Sequence, residues 1–317
     1  MIQRLRLSEK LVMKAVLERV LVLSLCLGFA NSVFSDEPVQ EADRSQITRI
    51  GAVAYSPAAV TIFRGLTGYL NKNGLPSDYI LYSNYDSLVA ALDRGEVDIA
   101  WNTPLAHAQY HVKNQCSSQT LVMRDVDVGV RSILIARTDS GIKSVQDLAG
   151  KKLVLGSSNA AEATALPLYF LKKEGTDFGK IKIVSLDAEV DGEGNPCASP
   201  LHVLKALREG RGEAGIITAE LWDGVRNERG SLQEIWKSPR FSHCVFTAST
   251  NFDKQRGARF SQLMQAMDPK ENATKDVMQL EGTKKWLPGS AEGFKDLVDA
   301  LRDGCLAPTH STGHSLK

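Results

Sequence analysis

The chain has 317 residues, 43% of them hydrophobic and 24% charged, an ordinary globular composition with length enough for two compact units. A formal charge of +1 provides no field that would gather nucleic acid or an anionic membrane, so any partner must be recognised locally. No GxSxG, HExxH or P-loop spacing occurs, which removes the signatures of the common serine hydrolases, zinc proteases and phosphate-cradling folds.

The first element is a leader. Arg4, Arg6, Lys10, Lys14 and Arg19 precede the apolar run Val20 to Ala30, and Val33-Phe34-Ser35 follows, the layout of a cleavable signal peptide over residues 1–35. The run is shorter than the ~20 residues needed to span a bilayer, so export to the periplasm is expected rather than membrane insertion. Met13 would serve as an alternative start, and Leu25 before Cys26 is too large for a lipid-anchor signal. Four cysteines remain, Cys116, Cys197, Cys244 and Cys305. In an exported chain they permit two disulfides in three connectivities, or they are buried thiols.

From Gln46 the pattern runs strand (ITRIGAVA), turn, helix (VTIFRGLTGYLNKN), strand (DYILYS), helix (YDSLVAALDR), strand (VDIAW) and helix (PLAHAQYHVKN). The β-branched run VGVRSILIART and the Ser-capped SGIKSVQDLAG lead into a second set: strand KKLVLG, helix AAEATALPLYFLKKEG, strand KIKIVSL, helix PLHVLKALREG and strand EAGIIT. The layout ALDRGEVDIAWNTP, Ala91 to Pro104, recurs as ALREGRGEAGIITA, Ala206 to Ala219: helix end, glycine stop, apolar strand, polar opening. Strand followed by helix predicts parallel sheets covered on both faces. SHCVFTAS reads as a returning strand, DAEVDGEGNPCASP as a polar loop, and ARFSQLMQAM and AEGFKDLVDAL as closing helices. The expected organisation is one lobe from residues 36–134 and 245–317, a second from 135–244, and a two-strand hinge between them. Ligands of such sheets sit beyond the carboxyl ends of the strands, here in a cleft between the lobes.

The order and spacing of YDSLVAALDRGEVDIAWNTPLAH, SILIARTDSGIKSVQDLAGKKLVLG, HVLKALREGRGEAGIITAE, IWKSP and KKWLPGSAEGFKDLVDAL resemble the periplasmic phosphonate-binding (PhnD-like) proteins. These form a branch of the type II periplasmic binding protein fold that feeds ABC importers. In that family a Ser-Thr-Ser cluster at a helix N-terminus holds the phosphonate oxygens, where free amides and the positive end of the helix dipole meet an anion. Aligning GSSNAAEATALPLYF on Gly156 and Pro167 puts Ala160, Ala161 and Glu162 at those positions. The hydroxyls are replaced, and a carboxylate there repels a phosphonate by a few kcal/mol. The resemblance places Tyr55 and Tyr85 at aromatic contacts and Glu220 at the acidic residue that meets the amino end of aminophosphonates. It sets Pro200, two before His202, at the family's histidine position, and Cys244 at an acidic one.

The residues themselves offer structural roles beside these. Thr103 before Pro104 is a helix cap, and with Asn102 it stands at a strand end facing the cleft. Ser157, Ser158 and Asn159 form a turn and cap that also face it. Glu162 either stabilises a helix dipole or, with Glu220, receives a cationic or hydroxyl-rich ligand. Tyr55 and Tyr85 suit lobe packing or recognition, and Trp101 and Trp222 suit packing. His107 and His111 have the spacing to share a metal but lack a third ligand, and His310 and His314 fall in a polar tail; no metal or cofactor is expected.

Together these features predict a monomeric periplasmic solute-binding protein that closes on a small polar molecule, delivers it to an ABC permease and has an altered anion site. A ligand sensor for a signalling partner is the alternative on the same fold. An enzyme is another, and would need Ser157 and His202 to pair.

Overall fold

The computed structural model describes residues 46–190, 198–225 and 230–304, to which every statement below refers. The expected leader, Cys197, Cys305, His310, His314 and the centre of the Asp187–Pro200 loop lie outside them.

The first lobe is a five-stranded sheet. β1 (Thr48–Val53) lies between β2 (Ser77–Tyr82) and β3 (Ile99–Asn102), parallel to both. α1 (Ala59–Lys72), α2 (Tyr85–Asp93) and α3 (Pro104–Lys113) follow these strands in turn. Local chemistry sets the helix starts: the Asn84 side chain accepts from the Ser87 amide, and Thr103 accepts from that of Ala106 with Pro104 at the first helical position. Phe63, Leu66 and Leu70 bury one stripe of α1 against Ile50, Trp101 and Phe246. At about 1.5–3 kcal/mol for each fully buried side chain, that stripe outweighs helix propensity. The stops after the two repeated helix ends, Gly95 and Gly210, have φ of +69° and +73°, a left-handed conformation that glycine adopts without strain.

The second lobe holds β6 (Ser132–Arg137), β7 (Lys152–Leu155), β8 (Lys182–Ser185), β9 (Ala214–Thr218) and β10 (Leu232–Lys237), in the order β10-β6-β9-β7-β8. Its helices are α4 (Leu166–Lys173), led by a π-helical turn at Ala161–Ala165, α5 (Pro200–Arg208) and α6 (Ala219–Gly224). The sequence predicts one helix through AAEATALPLYF; a wide turn precedes the α-helix instead.

The sheets are mixed rather than all parallel. In the first, β11 (Val245–Ala248) runs antiparallel to β3 and to β4 (Gln119–Thr120); in the second, β6 is antiparallel to β9 and β10. Apolar patterning marks a strand but not its direction, and the reversed strands flank the crossings between lobes. There the Phe241 amide bonds to the Val130 carbonyl at 3.0 Å and that of His243 to the Asp127 carbonyl at 2.8 Å, forming a two-strand hinge.

After β11 the chain adds α7 (Lys254–Gln265), α8 (Lys275–Leu280), β12 (Trp286–Pro288), paired with β5 (Val122–Arg124), and α9 (Lys295–Arg302). An apolar seam joins the lobes: Leu105 and Ala108 of α3 and Leu297, Val298 and Ala300 of α9 cluster with Ala165, Leu166, Tyr169 and Phe170. Cys116 and Cys244 are free thiols, which removes the two-disulfide reading. GRGEAG, Gly210 to Gly215, has the glycine spacing of a dinucleotide fingerprint but leads into β9 instead of leaving a strand, so the likeness is one of spacing alone. No helix among the described residues is long and apolar enough to cross a membrane.

Candidate functional site

Beside the hinge, charged groups from distant parts of the chain meet. Arg124 ends β5, and its guanidinium grips Asp127, on the short turn that follows, through Nε–Oδ2 at 2.6 Å and Nη2–Oδ1 at 3.0 Å. Its Nη1 donates to the Glu281 side chain at 3.2 Å and to the Glu281 carbonyl at 2.9 Å. The Tyr55 hydroxyl donates to the other Glu281 oxygen at 2.7 Å. His243 places Nδ1 3.1 Å from Asp127 Oδ1 and Nε2 3.2 Å from Glu162 Oε2, while the Cys244 sulfur lies 3.2 Å from Nδ1. The Trp101 ring lies under the Arg124 guanidinium at 5.3 Å, a cation–π contact that fixes its plane. The Asp127 and Glu281 side chains are each only 3% exposed.

Burial alone would neutralise such groups, but the partners decide their charge. Burial raises Asp127, yet hydrogen bonds from His243 and Arg124 overcome it and hold the carboxyl below its usual range. Glu162 is likewise raised by burial and brought below its usual range by His243. Burial lowers His243, whereas Cys244, Asp127 and Glu162 carry it well above the ordinary histidine value. For Glu281 burial prevails and the pKa rises despite Tyr55 and Arg124. Tyr55 is pushed up by desolvation and by Glu281, and Tyr85 by burial and the neighbouring Cys244. Three carboxyl groups therefore share one guanidinium and one imidazole.

Of the residues singled out in the sequence, Tyr55 and Glu162 belong to this network and Tyr85 lies within its field. Asn102 ends β3 fully buried, with both side-chain amide atoms lacking a protein partner. Thr103 caps α3. Ser157 accepts from the Asn159 amide through its hydroxyl, and Ser158 donates to Asp187 at 2.5 Å, adding a carboxylate to the rim of the second lobe. His202 faces Ser199 at 2.7 Å and completes the cap of α5, and Glu220 is exposed on the first turn of α6; no hydrogen bond among the described residues takes either to the network or joins Ser157 to His202. His107 and His111 stack at 5.6 Å, but each is engaged separately, His107 with Thr247 and His111 with Ser118.

Sequence reasoning missed Arg124, Asp127, His243 and Glu281. The first two sit on a three-residue strand and a single turn, too short for periodicity, and Glu281 is 226 positions from Tyr55. The one legible signal was local: RDVD puts a cation beside two acids just before the chain changes lobe.

Solved structures share this architecture. PhnD1 from Prochlorococcus marinus (MIT 9301), in complex with methylphosphonate, is 17% identical with a TM-score of 0.60, covering 83% of this chain and 99% of its own. XAC2383 from Xanthomonas citri, bound to chloride ion in one structure, is 16% identical with a TM-score of 0.64, covering 82% and 99%. The periplasmic aliphatic sulphonate binding protein SsuA from Escherichia coli is 14% identical with a TM-score of 0.51, covering 83% and 94%. At these identities the likeness shows the fold, two α/β lobes of the type II periplasmic binding protein kind. Residues 51–294 match the family described as ABC transporter, phosphonate, periplasmic substrate-binding protein. With most of its length matched, the chain belongs to the family of periplasmic phosphonate substrate-binding proteins of ABC transporters.

Proposed function

We propose that the chain is the solute-binding component of an importer and captures a small cationic or hydroxyl-rich molecule rather than a phosphonate. One observation carries this reading: Glu162, at the position of a hydroxyl in the family's anion cluster, lies 3.2 Å from His243 within a group that already holds Asp127 and Glu281. The π-helical turn at Ala161–Ala165 starts with no side-chain cap, so its amides remain where the family uses them, but a carboxylate stands in the ligand's place. The relatives crystallised with methylphosphonate and chloride hold anions; here a dianion would meet the Glu162 carboxylate in place of a hydroxyl, a like charge worth a few kcal/mol at an intermediate dielectric.

Recognition proceeds by lobe closure. Tyr55 and Tyr85 supply contacts from one lobe, and Ser157, Ser158, Asn159 and Glu162 from the other, so ligand binds the closed form better than the open one. The closed monomer then docks on its permease; residues 1–35 direct export and are removed, and no chemistry is performed on the ligand. Thermal shift and tryptophan fluorescence across amines, polyols, phosphonates and sulfonates test this. Stabilisation by amines or polyols is expected, and a shift produced only by phosphonates or sulfonates refutes the altered site.

A further inference from the structure

We propose that Asp127, His243 and Cys244 form a binding site for a zinc-class divalent metal ion. One oxygen, one ring nitrogen and one sulfur, all within 4.8 Å of one another, converge from the two hinge strands. His243 Nδ1 lies 3.1 Å from Asp127 Oδ1 and 3.2 Å from Cys244 Sγ. A tetrahedron on metal bonds of about 2.0 to 2.3 Å has edges of roughly 3.3 to 3.6 Å, so small side-chain adjustments admit the ion. Mixed nitrogen, sulfur and oxygen donors select zinc-like ions over magnesium or calcium, which take oxygen.

The surroundings are those of a metal centre as well. Metal-bound histidines give their second ring nitrogen to a carboxylate, and ligating carboxylates are themselves hydrogen-bonded. Here Nε2 of His243 faces Glu162 at 3.2 Å, and Arg124 holds the second oxygen of Asp127 at 2.6 Å; its 3.0 Å bond to Oδ1 is the one the metal replaces. The bond from the His243 amide to the Asp127 carbonyl, 2.8 Å, fixes the ligand backbones relative to each other. The Arg124 charge opposes a cation, but Glu281 lies 3.2 Å from it and Glu162 adds a further negative group. Three protein ligands leave a fourth position for water or a donor atom of cargo, and the 24% exposure of the His243 side chain provides access.

This site does not depend on which solute the cleft takes, and its test reads the metal directly. The full chain, without an affinity tag and stripped of metal, is titrated with Co2+ and then with Zn2+. The expected result is one equivalent of cobalt showing sulfur-to-cobalt charge-transfer absorption, displaced by zinc. Cys244→Ser abolishes that absorption, and Glu162→Gln keeps it while weakening affinity by about 10- to 100-fold. Absence of the absorption in the parent chain overturns the proposal, as does its persistence in Cys244→Ser or an unchanged affinity in Glu162→Gln. Should Cys244→Ser fail to fold, His243→Gln takes its place: loss of the tight site supports the proposal, and retention overturns it.

Discussion

Tyr55, two residues after the first strand of the sheet, donates to Glu281, directly after the short helix α8, at 2.7 Å. From Glu281 the contacts continue through Arg124, Asp127 and His243 to Glu162 in the second lobe. The opening strand, the crossing and the C-terminal segment are thus coupled through one polar chain, with Arg124 at its centre.

Removing that centre strips the buried Glu281 of its cation and leaves the buried Asp127 with His243 alone. Arg124→Met is expected to lower unfolding free energy by about 3–5 kcal/mol in urea titrations, the usual consequence of breaking a buried ion pair from one side. A loss below about 1 kcal/mol contradicts the network as drawn.

His107 provides a separate acid response. Burial, and secondarily His111, depress its pKa to about 3, against about 6.5 in the unfolded chain. Above the unfolded value both states are neutral and stability is complete. As pH falls below it, only the unfolded chain takes the proton, and stability declines towards the folded pKa. His107→Gln removes this contribution, so the parent is expected to lose about 1 kcal/mol more than the variant between pH 6.5 and 5.5. Parallel curves in chemical denaturation over that interval would rule the effect out.

Gly293 packs on the hinge. A Cβ there would stand 1.8 Å from Ser242 Oγ and 2.6 Å from Ser242 Cβ, while the Ser242 amide bonds to the Gly293 carbonyl at 2.8 Å. The hydroxyl can rotate away, but the Cβ cannot. Gly293→Ala is expected to cost about 1–3 kcal/mol, most of it recovered in the double variant with Ser242→Gly. Additive losses in thermal or urea unfolding would place the strain elsewhere.

Glu162→Ser tests ligand charge. Deleting one like charge about 4 Å from an anion is worth a few kcal/mol at intermediate dielectric, so affinity for methylphosphonate is expected to rise at least about tenfold by calorimetry. Unchanged affinity would mean that Glu162 does not face the bound ligand.

Much of the scaffold was legible because it is written in long, regular signals. The helix ends at Gly95 and Gly210 and the cap Thr103 follow from spacing and residue type. Strand direction was not, since β6 and β11 have the same apolar pattern whichever way they run. Glu162 was found through its departure from a family pattern. Its partner His243 lies in SHCVFTAS, where nothing in the neighbouring residues indicates that it contacts two acids distant in sequence.

On the proposed closure, the apolar seam between α3, α9 and the start of α4 would be the fulcrum. Close-packed side chains there cannot part without opening a void, so a swing of the lobes is a rotation in which displacement grows with distance from that line. Glu162 follows Ala161 of the seam and sits at the short end of the lever, where travel is small. Ser158 and Asn159, beyond the last residue of β7, stand only three and two residues from Ala161, so on the proposed closure this whole turn stays close to the pivot.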